Sequence, residues 1–266
     1  MAPKYINKLE GKSVLVVGGT SGIGFAVAEA SVEFGALVVV ASRSQDKVNK
    51  TIERLKASYP DATDRIRGHT VDLNSEDCET SITELFEFVT NGGRDSVDHV
   101  VETAGEVFSG SLLLQEATPH NIHDFSKTRL IGTAILAKVA EKYLKREHTS
   151  SFTLTGGVGA YKPVPGYAVR ATVSGAKDAL AKGLAVELKP VRVNLVSPGA
   201  VQTELLDYVT QNSGAEQEAV MQMFRNASIL DRVGDPEDLA ETYLSFMKNH
   251  FITGTTAHVE GGMLLK

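Results

Sequence analysis

The chain alternates between two kinds of segment along its whole length. Short runs rich in β-branched residues read as strands: Val14 to Val17, Leu37 to Ala41, Ile66 to Val71, Val97 to Val101, Phe152 to Leu154, Val191 to Val196 and Thr256 to Val259. Between them lie segments of helical length at 23–34, 45–58, 76–91, 119–147 and 167–188, and a last helix opens at Asp235-Pro236-Glu237, a cap followed by a first-turn proline. Repeated strand–helix–strand units predict an α/β fold, a doubly wound parallel sheet of about seven strands with helices on both faces. With 266 residues and no repeat or linker, one domain over 1–266 is expected. The stretch 199–229 stands apart, because it adds helical pattern between a strand and the last helix. It is expected to be an insertion that closes over a ligand as a lid.

The first strand runs straight into Gly18-Gly19-Thr20-Ser21-Gly22-Ile23-Gly24, after which an amphipathic helix begins. Glycines at 18, 22 and 24 let the backbone turn tightly and bring N–H groups at a helix N-terminus against a pyrophosphate. The strand before and the helix after supply the context such a glycine pattern requires. Gly18, Thr20, Ser21, Gly22, Ile23 and Gly24 are therefore expected to hold a dinucleotide. About 20 residues further on, where a carboxylate would bind the adenosine ribose of NAD, the second strand ends in Ala41-Ser42-Arg43-Ser44. One arginine and two hydroxyls, Ser42, Arg43 and Ser44, suit a 2′-phosphate, so NADP(H) is expected as the cofactor.

Composition narrows the partner. The chain has 27 basic and 33 acidic residues, a net charge of −6, and no Lys/Arg tract, which points away from nucleic acid and anionic membranes and toward a small-molecule substrate. No apolar run approaches the length that crosses a bilayer. The single cysteine, Cys78, allows no intrachain disulfide, and the N-terminus lacks a signal-like apolar stretch, so a reducing, cytoplasmic setting is expected.

Five markers in order, Gly18-x-x-x-Gly22-x-Gly24, Asp72-Leu73, Ala104-Gly105, Ser197-Pro198-Gly199 and Thr203, make the whole chain resemble the short-chain dehydrogenase/reductase superfamily. The resemblance implies a Rossmann-type fold and an oxidoreductase. It further implies that Asp72 and Leu73 contact the adenine and that Ala104 and Gly105 line the cofactor. Pro198, Gly199, Val201 and Thr203 would hold the nicotinamide carboxamide. It also implies a homodimer or homotetramer built through the helices at 119–147 and 167–188.

The family's Ser, Tyr, Lys and Asn positions fall here on Gly157, Arg170, Ser174 and Arg129, so none of the four matches. Tyr161 and Tyr167 lie nearby, but neither is followed by Lys at the fourth position. Delivery of a hydride to a ketone leaves an alkoxide that needs a proton donor, and a placed acid contributes roughly 10²- to 10⁴-fold. Delivery to an iminium gives a neutral amine with no such need. Lys162-Pro163-Val164-Pro165-Gly166 and the tail Gly261-Gly262-Met263-Leu264-Leu265 resemble a divergent fungal subgroup. It includes indole-alkaloid reductases that act on an iminium with NADPH and in some members guide a Diels–Alder cyclisation. Those members carry an acid between the two prolines, where this chain has Val164. Arg129 and Arg170 are the candidate catalytic residues, as orienters of a polar or anionic substrate group; pairing with acids across an interface is the competing role. Glu102, which alters the family's Asn-Asn-Ala-Gly to Glu102-Thr103-Ala104-Gly105, would stabilise a cationic substrate if its side chain reached the pocket; a role for its backbone alone is the competing and weightier reading. A non-redox cyclase and a nucleotide-binding pseudoenzyme remain as alternatives.

Other constellations are weaker. His120, His123 and Asp124 lack a third well-spaced ligand for a metal and read as a solvated helix face, so no metal site is expected. No Gly-x-Ser-x-Gly elbow is present, and Cys78 lies among Glu76, Asp77 and Glu79, which oppose its thiolate.

Overall fold

The computed structural model describes residues 4–105, 110–212 and 216–266. Its seven strands are β1 (Ser13–Val17), β2 (Leu37–Ser42), β3 (Ile66–Thr70), β4 (His99–Glu102), β5 (Ser151–Thr155), β6 (Arg192–Pro198) and β7 (Thr256–Val259). They form one parallel sheet in the order β3-β2-β1-β4-β5-β6-β7. The chain reverses its direction of strand addition between β1 and β4, where Val17 lies opposite Glu102. In open parallel sheets a ligand crevice forms outside the strand C-termini at this switch point.

The strands read as unbroken apolar runs because helices cover both faces. On one face Leu15, Val17, Val100, Leu154 and Leu195 pack against α3 (Cys78–Val89), α5 (Thr133–Tyr143) and α6 (Ala168–Glu187). On the other, Val14, Val16, Val38, Val101 and Val196 pack against α1 (Gly22–Glu33) and α9 (Pro236–Lys248), with Tyr243 wholly buried. The remaining helices are α2 (Gln45–Ser58), α4 (Pro119–Ser126), α7 (Glu204–Gln211) and α8 (Gln217–Ala227).

The single helix expected over 119–147 is instead three pieces. α4 runs into a π-helical turn, Lys127–Gly132, and α5 stops at Tyr143. The wide turn frees carbonyls that the Thr133 hydroxyl meets, donating to Thr128 O at 3.3 Å and Arg129 O at 3.2 Å. Beyond Tyr143 the backbone turns toward the sheet, where Lys145 N donates to Val97 O. The 199–229 segment contains α7 and α8, joined through residues 213–215, which lie outside the described residues.

Candidate active site

The glycine turn is built by close contacts between backbones. Gly18 N and Gly19 N both donate to Ala41 O, which ties the turn to the end of β2. A Cβ on Gly24 would come within 2.3 Å of Gly18 O and 2.4 Å of Thr103 Oγ1, and one on Gly18 within 2.7 Å of Ala104 N. These glycines let α1 start directly on the turn and let the exit of β4, Thr103 to Gly105, close against it. Thr103 completes the joint by donating from N and Oγ1 to Val17 O. Gly22, at φ +48°, faces Thr203, whose Cγ2 would be 2.9 Å from an added Cβ. The structure therefore brings Gly18, Gly22, Gly24, Ala104, Gly105 and Thr203 to one place. The cradle that a Cβ would fill and the uncapped start of α1 fit a dinucleotide.

The other predicted cofactor residues surround this turn in different ways. Thr20 accepts from Thr51 Oγ1 through its carbonyl, Ser21 is the N-cap residue of α1, and Ile23 packs into the core beneath. Ser42 ends β2, Arg43 is exposed beside it, and the Ser44 hydroxyl caps α2 by accepting from Lys47 N. Asp72 folds its carboxylate back onto Asn74 N at 2.9 Å. Leu73 turns its side chain into the core, which leaves only its backbone for an adenine. Gly199 packs on Glu260 and Met263, and Val201 is buried in the bridge to Gly234. Thr203 N-caps α7, accepting from Leu206 N.

Above the ends of β4 and β5, one face of α6 presents Arg170, Ser174 and Lys177 at helical spacing. A Cβ on Gly157 would stand 3.9 Å from Ser174 Oγ, so these two residues face each other. Arg129, on the π-helical turn, lays its guanidinium on Gly105, with Nη1 2.9 Å from where a Cβ would be. Arg129 and Arg170 also share the Phe125 ring, at 5.3 and 5.6 Å from its centroid, and Arg170 lies 5.7 Å from the Tyr167 ring. The two arginines chosen from the sequence are thus neighbours over the predicted cofactor ledge. Tyr161 is turned elsewhere, its ring edge-on to His258 at 4.4 Å.

One element of the site escaped the sequence reading. Lys177 and Glu102, both buried, form an ion pair with Nζ–Oε2 of 2.5 Å, and Lys177 also donates to Thr155 O at 3.0 Å. Burial holds the Lys177 ammonium below its ordinary pKa, and the Glu102 carboxylate opposes that shift. Glu102 is therefore not available to a cationic substrate as the sequence suggested: its charge is spent inside the protein on Lys177. Glu102 Oε1 has no hydrogen-bond partner among the described residues. The available signal was the lysine one turn below Ser174, on the same face of α6.

His120 and His123 sit on α4 with Asp124, at 3.2 and 3.8 Å, and no group of three metal-binding side chains occurs among the described residues. Cys78 is buried, and burial is the first cause raising its thiol pKa, with Glu79 and Asp77 adding to it. No described helix is long and apolar enough to cross a membrane.

Residues 5–266 match the family model of the SDR-like Rossmann domain. The short-chain dehydrogenase/reductase ucsE of Acremonium sp. is 41% identical over 267 residues, all of both chains. The short-chain dehydrogenase/reductase malC of Malbranchea aurantiaca is 36% identical, again over the full length of both. The solved structure of that organism's MalC reductase/Diels-Alderase superposes with a TM-score of 0.88 at 35% identity, covering 98% of this chain and 99% of that one. An actinorhodin polyketide ketoreductase variant solved with NADPH shares the fold, with a TM-score of 0.84 at 24% identity, 96% of this chain and 98% of that one.

Proposed function

The chain belongs to the short-chain dehydrogenase/reductase family, and from that premise we propose that it is an NADP(H)-dependent oxidoreductase of secondary metabolism reducing an iminium or similarly activated substrate. The observation that carries this reading is the ledge beside Gly105. There the Arg129 guanidinium covers Gly105 and Gly157 faces Ser174; on the family resemblance, Gly157, Arg170 and Ser174 would occupy the positions of the family's hydroxyl, phenol and lysine. A nicotinamide, when bound, supplies a hydride. The turn from Gly18 to Gly24 would hold its pyrophosphate, Arg43 with Ser42 and Ser44 its 2′-phosphate, Asp72 and the backbone of Leu73 its adenine, Ala104 and Gly105 would line it, and Pro198 to Thr203 would hold its carboxamide.

What the chain's own residues do follows from their chemistry. Arg129 and Arg170 present guanidinium donors and no acceptor, so they bind and orient an acceptor group of the substrate. Phe125 and Tyr167 offer ring faces to the same guanidiniums and an apolar wall to the substrate. An electrophile that becomes neutral on accepting hydride needs only this alignment. Residues 199–229 act as the lid, and the protein assembles as a homo-oligomer through α5 and α6, in the cytoplasm.

The test is consumption of NADPH with cyclic iminium compounds set against ketones and enones. The expected result is turnover of the iminium set with ketone rates lower by about the 10²-fold or more that a missing acid costs. Equal ketone turnover would overturn the reading. Arg43→Asp should invert the preference for NADPH over NADH, read as the ratio of the two dissociation constants; an unchanged ratio removes Arg43 from the 2′-phosphate site. A second reading, a non-redox cyclase, draws support from the similarity to a reductase/Diels-Alderase. Val164, between Pro163 and Pro165, supplies no acid for it. NADPH binding without oxidation against any acceptor would favour that reading or a nucleotide-binding pseudoenzyme.

A further inference from the structure

The start of a helix behind a glycine turn is where the pyrophosphate of a dinucleotide rests in folds of this kind. In this chain a carboxylate already faces it. α1 has no acidic residue in its first turn, and its N-cap Ser21 makes no side-chain cap, so the leading N–H groups meet no negative charge from the helix itself. Glu204, an exposed residue, is the first of α7, whose N-terminus packs on the start of α1 at Gly22. A Cβ on Gly22 would lie 3.6 Å from Glu204 Oε2. The Glu204 side chain therefore lies over the first residue of α1, and among the described residues it pairs with no basic side chain.

The backbone gives Glu204 little room to retreat. Just before it, Val201 bridges to Gly234, and Gln202 N donates to Gly234 O at 2.8 Å. Thr203 closes the α7 N-terminus with its own hydroxyl. The far end of the 199–229 segment is tied down too, where Ile229 N donates to Gly261 O at 2.9 Å. Beside α1, it is the Glu204 side chain that is left to move.

We propose that Glu204 sets the affinity of the site for its dinucleotide: its carboxylate shares the anion-binding end of α1 with the pyrophosphate and must turn away for the cofactor to bind. This rests on the dinucleotide reading of residues 18 to 24. A charge placed so weakens the bound state and favours cofactor exchange between turnovers. The full sign of the effect is electrostatic, so it is screened by salt, whereas a packing role would not be.

The experiment is titration of the full chain and two variants with NADPH, followed by the fluorescence of the bound nucleotide at low and high ionic strength. Glu204→Gln keeps the shape and removes the charge; its dissociation constant should fall about fivefold at low salt, the order expected of two unit charges about 4 Å apart with water between them. At about 1 M salt, where the screening length is about 3 Å, the gain should vanish. Glu204→Lys, which reverses the charge, should bind more tightly still. Adenosine 2′-monophosphate, which has no pyrophosphate, should bind all three proteins alike. Equal or weaker NADPH binding by both variants overturns the proposal alone. Failure of wild type and variants to bind either NADPH or NADH overturns the dinucleotide reading, and this proposal with it.

Discussion

Glu102 and Lys177 are charged groups taken wholly out of water, and their attraction must offset several kcal/mol of lost hydration on each. Removing one partner strands the other. Lys177→Met or Glu102→Leu should each cost about 3–5 kcal/mol in urea unfolding, whereas the two changes together should cost less than either alone. A double-mutant cycle reads the coupling directly, and additive costs would mean the 2.5 Å contact carries no net attraction. The sequence showed both residues but not the pair. They are 75 positions apart and meet only because β4 and α6 are brought together by the sheet. By contrast, the glycines of 18 to 24 were legible, since a turn between a strand and a helix needs them locally.

At the scale of elements, the π-helical turn decides where Arg129 points. Helical periodicity carries 119–147 as one unbroken segment, and nothing in the local pattern marks the wide turn. At its end the turn meets another part of the fold: a Cβ on Gly132 would fall 2.4 Å from Leu73 O, so this helix presses on the loop that carries Asp72 and Leu73. Gly132→Ala should therefore destabilise the protein by about 1–3 kcal/mol and weaken NADPH binding through the displaced loop. Gly175, in the middle of α6, has nothing within 4 Å of an added Cβ, and Gly175→Ala should stabilise by up to about 1 kcal/mol. Thermal or urea unfolding of the two variants separates them by the sign of the change. A stabilised Gly132→Ala would show that the close approach to Leu73 is not constraining.

The whole molecule carries a pH dependence that belongs to the sheet rather than to the site. His99 is buried at the start of β4 with Nδ1 2.9 Å from Ser151 Oγ, and burial pushes its pKa down to about 3. Between the unfolded value of about 6.5 and the folded value, the unfolded chain binds a proton that the folded chain does not. Stability is thus fully present above pH 6.5 and falls as pH drops toward 3. From pH 7 to pH 5 the loss should be about 2 kcal/mol, a slope approaching 1.4 kcal/mol per pH unit. His99→Asn should flatten that part of the urea-unfolding profile. An unchanged slope would place the acid sensitivity elsewhere, for example at His250, whose pKa burial also lowers.

The strand runs, the alternation of strands with helices and the glycine turn could be read from residue order, because each depends on composition or spacing within a few turns of chain. The meeting of Arg129 with Gly105, the burial of Glu102 against Lys177, and the approach of Glu204 to Gly22 could not. Those contacts join residues from 24 to 182 positions apart in the chain, and only packing the helices onto the two faces of the sheet sets their distances. Local periodicity encodes which face of an element is buried; what that face meets is decided by the tertiary fold.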